Sequence, residues 1–230
     1  MQKILALYML WVSSFSGVRA QDSGEPGFIH YTRQQGLSNN FVSGIVQDSA
    51  GYIWIATHRG LNRFDGTSFK TILYTGSPGA LPDNAIYSLQ SLPGQQLGVA
   101  TSDGAQIIST RTLAARTLDI PTEDALRYWS NSAKFIQRDA DGNYGVSTNT
   151  GFYIFSPEGQ LIKRLDGYSV KDIGHAWMLF GRQLYLLPNG NMLQESRDGL
   201  FQYNRRSHTM EDAAALYPGL QQVCPFIENT

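Results

Sequence analysis

The segment Asp139-Ala140-Asp141-Gly142-Asn143 starts like a calcium loop, in which alternate side-chain oxygens converge on a hard cation. It does not continue as one. Tyr144 stands where such a loop needs glycine and Thr150 where it needs glutamate, so the Asp-Gly pair is expected to be a hairpin turn and no metal site is assigned. The four histidines, His30, His58, His175 and His208, show no pairing at metal-ligand spacing, and none is close in sequence to a plausible nucleophile. Cys224 is the single cysteine, which excludes an internal disulfide; its expected role is that of a small buried hydrophobe. There is no glycine-rich phosphate loop followed by lysine. No catalytic residue and no cofactor are therefore assigned. The polar pairs that remain, His58-Arg59, Ser102-Asp103, Asn149-Thr150 and Arg197-Asp198, each immediately precede a glycine. They change from copy to copy while their surroundings stay alike, as binding loops on a rigid scaffold do. His58, Arg59, Asp103 and Arg197 are the candidate ligand-binding residues, against the plainer reading of solvated turns. Trp54 is able to stack on a sugar ring, but its place among strand anchors favours core packing.

The elements that would position these pairs follow from the glycines. Gly60, Gly104, Gly151 and Gly199 recur at intervals of 44, 47 and 48 residues, each after a β-rich stretch such as Tyr52-Ile53-Trp54-Ile55-Ala56-Thr57 or Gln96-Leu97-Gly98-Val99-Ala100-Thr101. Fifteen residues before each glycine stand Ile45, Leu89, Ile136 and Leu184; four residues after it stand Phe64, Ile108, Phe155 and Tyr203. A turn former follows: Asp65, Ser109, Ser156 or Asn204. A further apolar anchor comes as Phe69, Leu113, Leu161 or Met210. Each unit reads as four short strands with hairpin turns near Ala50-Gly51, Gly94-Gln95, Asp141-Gly142 and Asn189-Gly190. A period of this size with several strands per unit predicts an all-β β-propeller, because each small sheet buries its faces only against neighbouring sheets. Four blades of four antiparallel strands are expected over residues 36–230, with partial strands at both ends.

At the amino end, Phe28-Ile29-His30-Tyr31 precedes Gly36-Leu37-Ser38 much as Phe69-Lys70-Thr71-Ile72 precedes Ala80-Leu81-Pro82, so residues 21–35 read as a leader holding a closing strand. At the carboxyl end, Val223-Cys224-Pro225-Phe226 aligns with the start of another unit whose continuation is missing, and the chain is expected to be the beginning of a longer protein. Residues 1–20 read as a signal peptide: Lys3 supplies the positive start, Ile4 to Val12 the apolar core, and Val18-Arg19-Ala20 the small-residue cleavage site, with cutting between Ala20 and Gln21. Nine apolar residues are too few to span a bilayer, which needs about 20. The mature chain is expected to be exported.

Without that peptide the chain carries 16 basic and 19 acidic residues, and its charges are scattered singly. The basic stripe that nucleic acid or an anionic membrane requires is absent. Hydrophobic residues at 42% suffice for a core, and 23 glycines with nine prolines suit a turn-rich β chain rather than disorder.

Gly36-Leu37-Ser38-Asn39-Asn40-Phe41-Val42, then Ile45-Val46-Gln47-Asp48-Ser49-Ala50-Gly51-Tyr52-Ile53-Trp54-Ile55-Ala56-Thr57, then Gly60-Leu61-Asn62-Arg63-Phe64-Asp65-Gly66 closely resembles the two-component regulator propeller repeat. The later copies depart from it where Gly98, Gly145 and Leu193 replace the tryptophan at the Trp54 position. The resemblance covers roughly residues 28–230. It implies a periplasmic array of blades followed, in the full-length receptor, by a β-sandwich module, a transmembrane helix and a cytoplasmic histidine kinase or another signalling output. In relatives tied to carbohydrate use it also implies an oligosaccharide as ligand. The expected function is a non-catalytic, ligand-sensing propeller at the start of a two-component receptor. A secreted propeller lyase or hydrolase and an adhesion or scaffold propeller are the alternatives from other classes.

Overall fold

In the computed structural model, the residues described are 28–77, 79–121, 131–149, 151–166, 183–196 and 199–217. The signal peptide and its Ala20–Gln21 junction, His175, Arg197, Cys224 and the carboxyl-end strand lie outside them. Residues Tyr31–Thr230 form one compact unit and Met1–His30 another. Of the second, only residues 28–30 are described, and they are exposed and enter no strand.

Four separate four-stranded antiparallel sheets form in chain order. Sheet 1 is β1 (Val42–Gln47), β2 (Ile53–Thr57), β3 (Gly60–Phe64) and β4 (Phe69–Ile72); sheet 2 is β5 (Ile86–Leu92), β6 (Gln96–Thr101), β7 (Gly104–Ser109) and β8 (Ala115–Leu118). Sheet 3 is β9 (Ala133–Arg138), β10 (Tyr144–Thr148), β11 (Gly151–Phe155) and β12 (Leu161–Asp166). Sheet 4 is β13 (Gln183–Leu186), β14 (Met192–Ser196), β15 (Gly199–Asn204) and β16 (Thr209–Asp212), followed by one helical turn, α1 (Ala213–Leu216). Neighbours in sequence are neighbours in each sheet. The four hairpins between first and second strands fall where expected, with Gly51, Gly94, Gly142 and Gly190 all at positive φ. Glycine is favoured there because a Cβ crowds that conformation.

The register follows the repeat. Ile45 pairs with Ile55, Leu89 with Val99, Ile136 with Val146 and Leu184 with Gln194, so the anchors fifteen residues before each glycine occupy one position in all four sheets. Phe64, Ile108, Phe155 and Tyr203 pair with Ile53, Leu97, Tyr144 and Met192 on the same face. The fourth anchor holds in three copies. In the second, Leu113 sits in the turn at φ 62 and Ala115 takes the strand position opposite Ile108.

First strands lie side by side, β1 with β5, β5 with β9 and β9 with β13, so the sheets stack like blades with these strands innermost. Trp54, Ala56 and Leu61 of sheet 1 pack against Leu89, Leu97, Val99 and Ile108 of sheet 2. The other face of sheet 2, with Leu92, Ala100 and Ile107, meets Ile136, Tyr144, Val146, Tyr153 and Phe155 of sheet 3. Phe152 and Ile154 then meet Leu184, Met192 and Tyr203 of sheet 4. Burying one large apolar side chain contributes about 1.5–3 kcal/mol, so each of these interfaces, with several such side chains, is a main source of order. Trp54 is fully buried and its indole N–H donates to Asp48 Oδ2 at 2.7 Å, which makes it a core residue rather than a sugar platform.

The glycines at the Trp54 position have a packing reason. A Cβ at Gly98 would stand 2.6 Å from Ile136 Cγ2, and one at Gly145 would stand 2.6 Å from Met192 Sδ and Cε and 2.7 Å from Phe152 Cζ. The neighbouring blade fills the space that Trp54 fills in sheet 1.

The leader departs from expectation. No strand forms over Phe28-Ile29-His30-Tyr31. Thr32 instead caps a short 3-10 turn, Arg33–Gln35, its hydroxyl accepting from the Gln34 N–H while Gln35 Oε1 accepts from the Thr32 N–H. Tyr31 turns its ring edge-on to Phe64 and Phe69, with centroids at 4.9 and 5.6 Å. Among the described residues no helix is long and apolar enough to cross a membrane.

Candidate ligand-binding end of the blades

The hairpins before Gly60, Gly104 and Gly151 are held by one device. Thr57, Thr101 and Thr148 donate their hydroxyls to the carbonyls of Gly60, Gly104 and Gly151 at 2.9, 2.9 and 3.1 Å. Each hydroxyl also accepts a backbone N–H, from Arg59, Asp103 and Gly151 respectively. This Thr-x-x-Gly frame fixes the turn backbone and leaves the two central side chains free to vary. The candidate pairs sit there. His58 and Arg59 are exposed and Asp103 is half-buried, all at the same end of the stack. They do not converge on one point. His58 stacks on Phe41 with centroids 3.9 Å apart, and Asp103 Oδ1 accepts from Asn131 Nδ2 at 3.0 Å.

Beside Asp103 a cleft of about 410 Å³ is lined by Tyr74, Pro82, Thr117, Asp119, Ile120 and Asn131. Asn131 Oδ1 is buried there and finds no partner among the described residues.

A second feature of this end was not foreseen. In β1 the pairing passes from Val42–Thr57 to Gly44–Ala56, leaving Ser43 as an extra residue; β5 leaves Tyr87 and β9 leaves Lys134 in the same way. These are β-bulges at one register, each seventeen residues before the repeat glycine, and bulges re-aim side chains at strand ends. Ser43 spends its hydroxyl on the Ile86 carbonyl of the next blade at 2.7 Å. Lys134 Nζ stands 4.2 Å from the Tyr87 ring centroid and donates to Ser132 Oγ at 2.8 Å. Tyr87 meets His58 edge-on at 6.1 Å. Phe41, His58, Tyr87 and Lys134 thus form a continuous strip drawn from three blades. Burial pushes the Lys134 ammonium below its usual pKa, and among the described residues no carboxylate pairs with it.

At the opposite end, described polar side chains hold the hairpin turns. Asp139 Oδ1 accepts the N–H groups of Asp141 and Asn143 at 2.9 and 2.8 Å, so the calcium-like segment is the hairpin turn it was expected to be. Asp141 pairs with Arg205 across sheets 3 and 4. His208 Nδ1 lies 2.5 Å from the Tyr203 hydroxyl, whose pKa is raised by burial first and by Asp139 and Asp141 next. Among the described residues no cluster of His, Cys, Asp and Glu is arranged to hold a metal ion.

Comparison with known proteins agrees with this geometry. Residues 36–59 match the family described as two component regulator propeller, which is the loop, first strand and second strand of sheet 1. A stretch of 51 residues is 43% identical to "Histidine kinase P4" of Formosa agariphila, covering 22% of this chain and 4% of the kinase. Among solved structures, the "extracellular domain of the putative hybrid two component system BT3049" from B. thetaiotaomicron is 22% identical with a TM-score of 0.53, over 80% of this chain and 31% of that one. The extracellular domain of a second B. thetaiotaomicron protein, the "putative one component system BT4673", is 19% identical with a TM-score of 0.51, over 75% of this chain and 21% of that one. The chain therefore spans a third or less of the proteins it is similar to, and the two solved structures bear on its fold alone. The motif of the two component regulator propeller family thus lies in the first blade, residues 36–59, and the same four-stranded unit is repeated three times after it.

Proposed function

We propose that this chain is the extracytoplasmic, ligand-sensing propeller part of a signalling receptor of the sensor histidine kinase type, and that the part itself is non-catalytic. The observation that carries the reading is the repeated frame at one end of the blades. Three hairpins with the same Thr-to-Gly closure and three bulges at the same register present different side chains at each copy. A frame held constant while its displayed residues vary is what a binding surface needs and what a purely structural array does not. The signal-peptide pattern of residues 1–20 and the extracellular placement of the similar solved domains support export to the periplasm. A small soluble ligand, an oligosaccharide in the first instance, that touches residues of several blades favours one stacking of those blades. Its differential affinity then shifts the equilibrium of whatever output is attached.

The test is a transcriptional reporter on the output of the parent gene, with oligosaccharides supplied as inducers. His58→Ala, Arg59→Ala and Asp103→Ala are each expected to raise the inducer dose severalfold without changing the amount of receptor. Induction that is unaffected by all three, or no induction by any oligosaccharide, overturns the reading.

A further inference from the structure

Lys134 is the least explained charge in the described structure. An ammonium half-buried at a strand end is costly unless an anion or several acceptors offset it. Here it has one hydroxyl, Ser132 Oγ, and the face of Tyr87. The bulge that puts it there leaves an unpaired residue in the ladder, so the arrangement sacrifices sheet regularity as well. Structural lysines at blade interfaces would be expected to pair with a carboxylate across the interface, as Arg205 does with Asp141. Among the described residues the Ser132 hydroxyl and the Tyr87 ring offset part of that charge and no carboxylate does, so the position is one where an added anion would be stabilised.

Its surroundings define what that is. The strip continues from Lys134 to Tyr87, which is 36% exposed, then to His58 and to Phe41, which is 59% exposed and has only one face covered by His58. A cation at one end and an open aromatic face at the other suit a ligand with an anionic group at one end and a flat or CH-faced ring beyond it.

We propose that Lys134, Tyr87, His58 and Phe41 form a binding strip for a small carboxylate carried on a ring, the carboxylate going to the Lys134 ammonium and the ring lying along the strip beyond it, toward His58 and Phe41. The shared chemistry comes from two sources, an acidic sugar or an aromatic carboxylate. The inference rests on the reading of the propeller as a ligand-binding module, and names the class of ligand that this module takes.

The test is calorimetric titration of the full chain with trigalacturonate, with 4-hydroxybenzoate, with neutral maltotriose and with sodium sulfate. Trigalacturonate or 4-hydroxybenzoate is expected to bind at least tenfold more tightly than maltotriose, and whichever binds identifies the source. Lys134→Met is expected to lose that binding at least tenfold while melting at the same or a higher temperature, since it removes an uncompensated charge; Lys134→Arg is expected to retain most of it. A melting temperature that falls in Lys134→Met with binding unchanged would assign the residue to blade packing and overturn the proposal. Failure of both carboxylates overturns it too, as does sulfate binding as tightly as either. Binding of maltotriose alone also overturns it, and in that case the sensing reading stands, because the reporter experiment does not depend on the charge of the inducer.

Discussion

Replacing Gly98 by alanine isolates the contact between sheets 2 and 3. The added methyl meets Ile136 Cγ2 at 2.6 Å and Leu92 Cδ1 at 3.1 Å, both on side chains locked inside the core. Ile136 is β-branched and stiff at χ1, so it cannot swing away without moving β9. Forcing a methylene into a packed core costs about 1–3 kcal/mol, and alanine recovers only about 0.5–1 kcal/mol of backbone entropy. The net loss is about 1–2 kcal/mol, or a fall in melting temperature of about 2–8 °C at this chain length. Gly145→Ala is expected to cost less, because two of its three contacts are the movable tip of Met192. Ile136→Ala alone costs about 2–5 kcal/mol. In the double variant the two changes relieve each other, and the combined loss falls short of the sum by about 0.5–3 kcal/mol. Urea unfolding of the five chains, wild type included, by tryptophan fluorescence measures all of this. A neutral or stabilising Gly98→Ala, or strictly additive losses, would show that the blades do not interlock as described.

Thr101→Val keeps the shape of the side chain and removes the hydroxyl that holds the buried Gly104 carbonyl; it is expected to cost about 1–3 kcal/mol, read as a shift in urea midpoint, while a loss near zero would deny the hairpin closure its role. Tyr203 is fully buried with its pKa raised, so its contribution is complete below about pH 10, the unfolded value, and is lost as pH rises above it. The urea midpoint should therefore fall more steeply above pH 10 in the wild-type chain than in Tyr203→Phe, and equal slopes would contradict the assignment. Ile45 is 62% exposed on the face of sheet 1 that corresponds to the buried Leu89 face of sheet 2, so the chain is expected to self-associate through it. Ile45→Lys should lower the weight-average sedimentation coefficient, and an already monomeric wild type would refute the idea.

The blade frame was legible because it rests on local signals that add along the chain. Glycines at positive φ marked the hairpins, and apolar anchors at one offset marked the buried faces, since strand alternation forces such residues to one side. The bulges were not legible. One extra residue leaves the offset between Ile45 and Gly60 unchanged, and Ser43, Tyr87 and Lys134 share no chemistry that would have flagged them; only their common offset of seventeen from the repeat glycine was there to be found. Gly98 and Gly145 read as decay of the tryptophan motif, because the side chains that replace it, Ile136 and Met192, come from the next blade and lie 38 and 47 residues further on. Of the candidate residues, His58, Arg59 and Asp103 lie in the hairpins before Gly60 and Gly104, while the contacts that His58 and Asp103 make, with Phe41 and Asn131, arise only through tertiary packing.

Hydrogen exchange of the full chain with and without bound carboxylate tests the central claim most directly, since it reports every hairpin at both ends in one experiment. Added protection is expected at residues 41–43, 57–60, 86–88 and 132–135, the bulges and the Thr-to-Gly hairpin, and none at the opposite turns around Gly51, Gly94, Gly142 and Gly190. Protection concentrated at those opposite turns, or spread evenly over both ends, would contradict it.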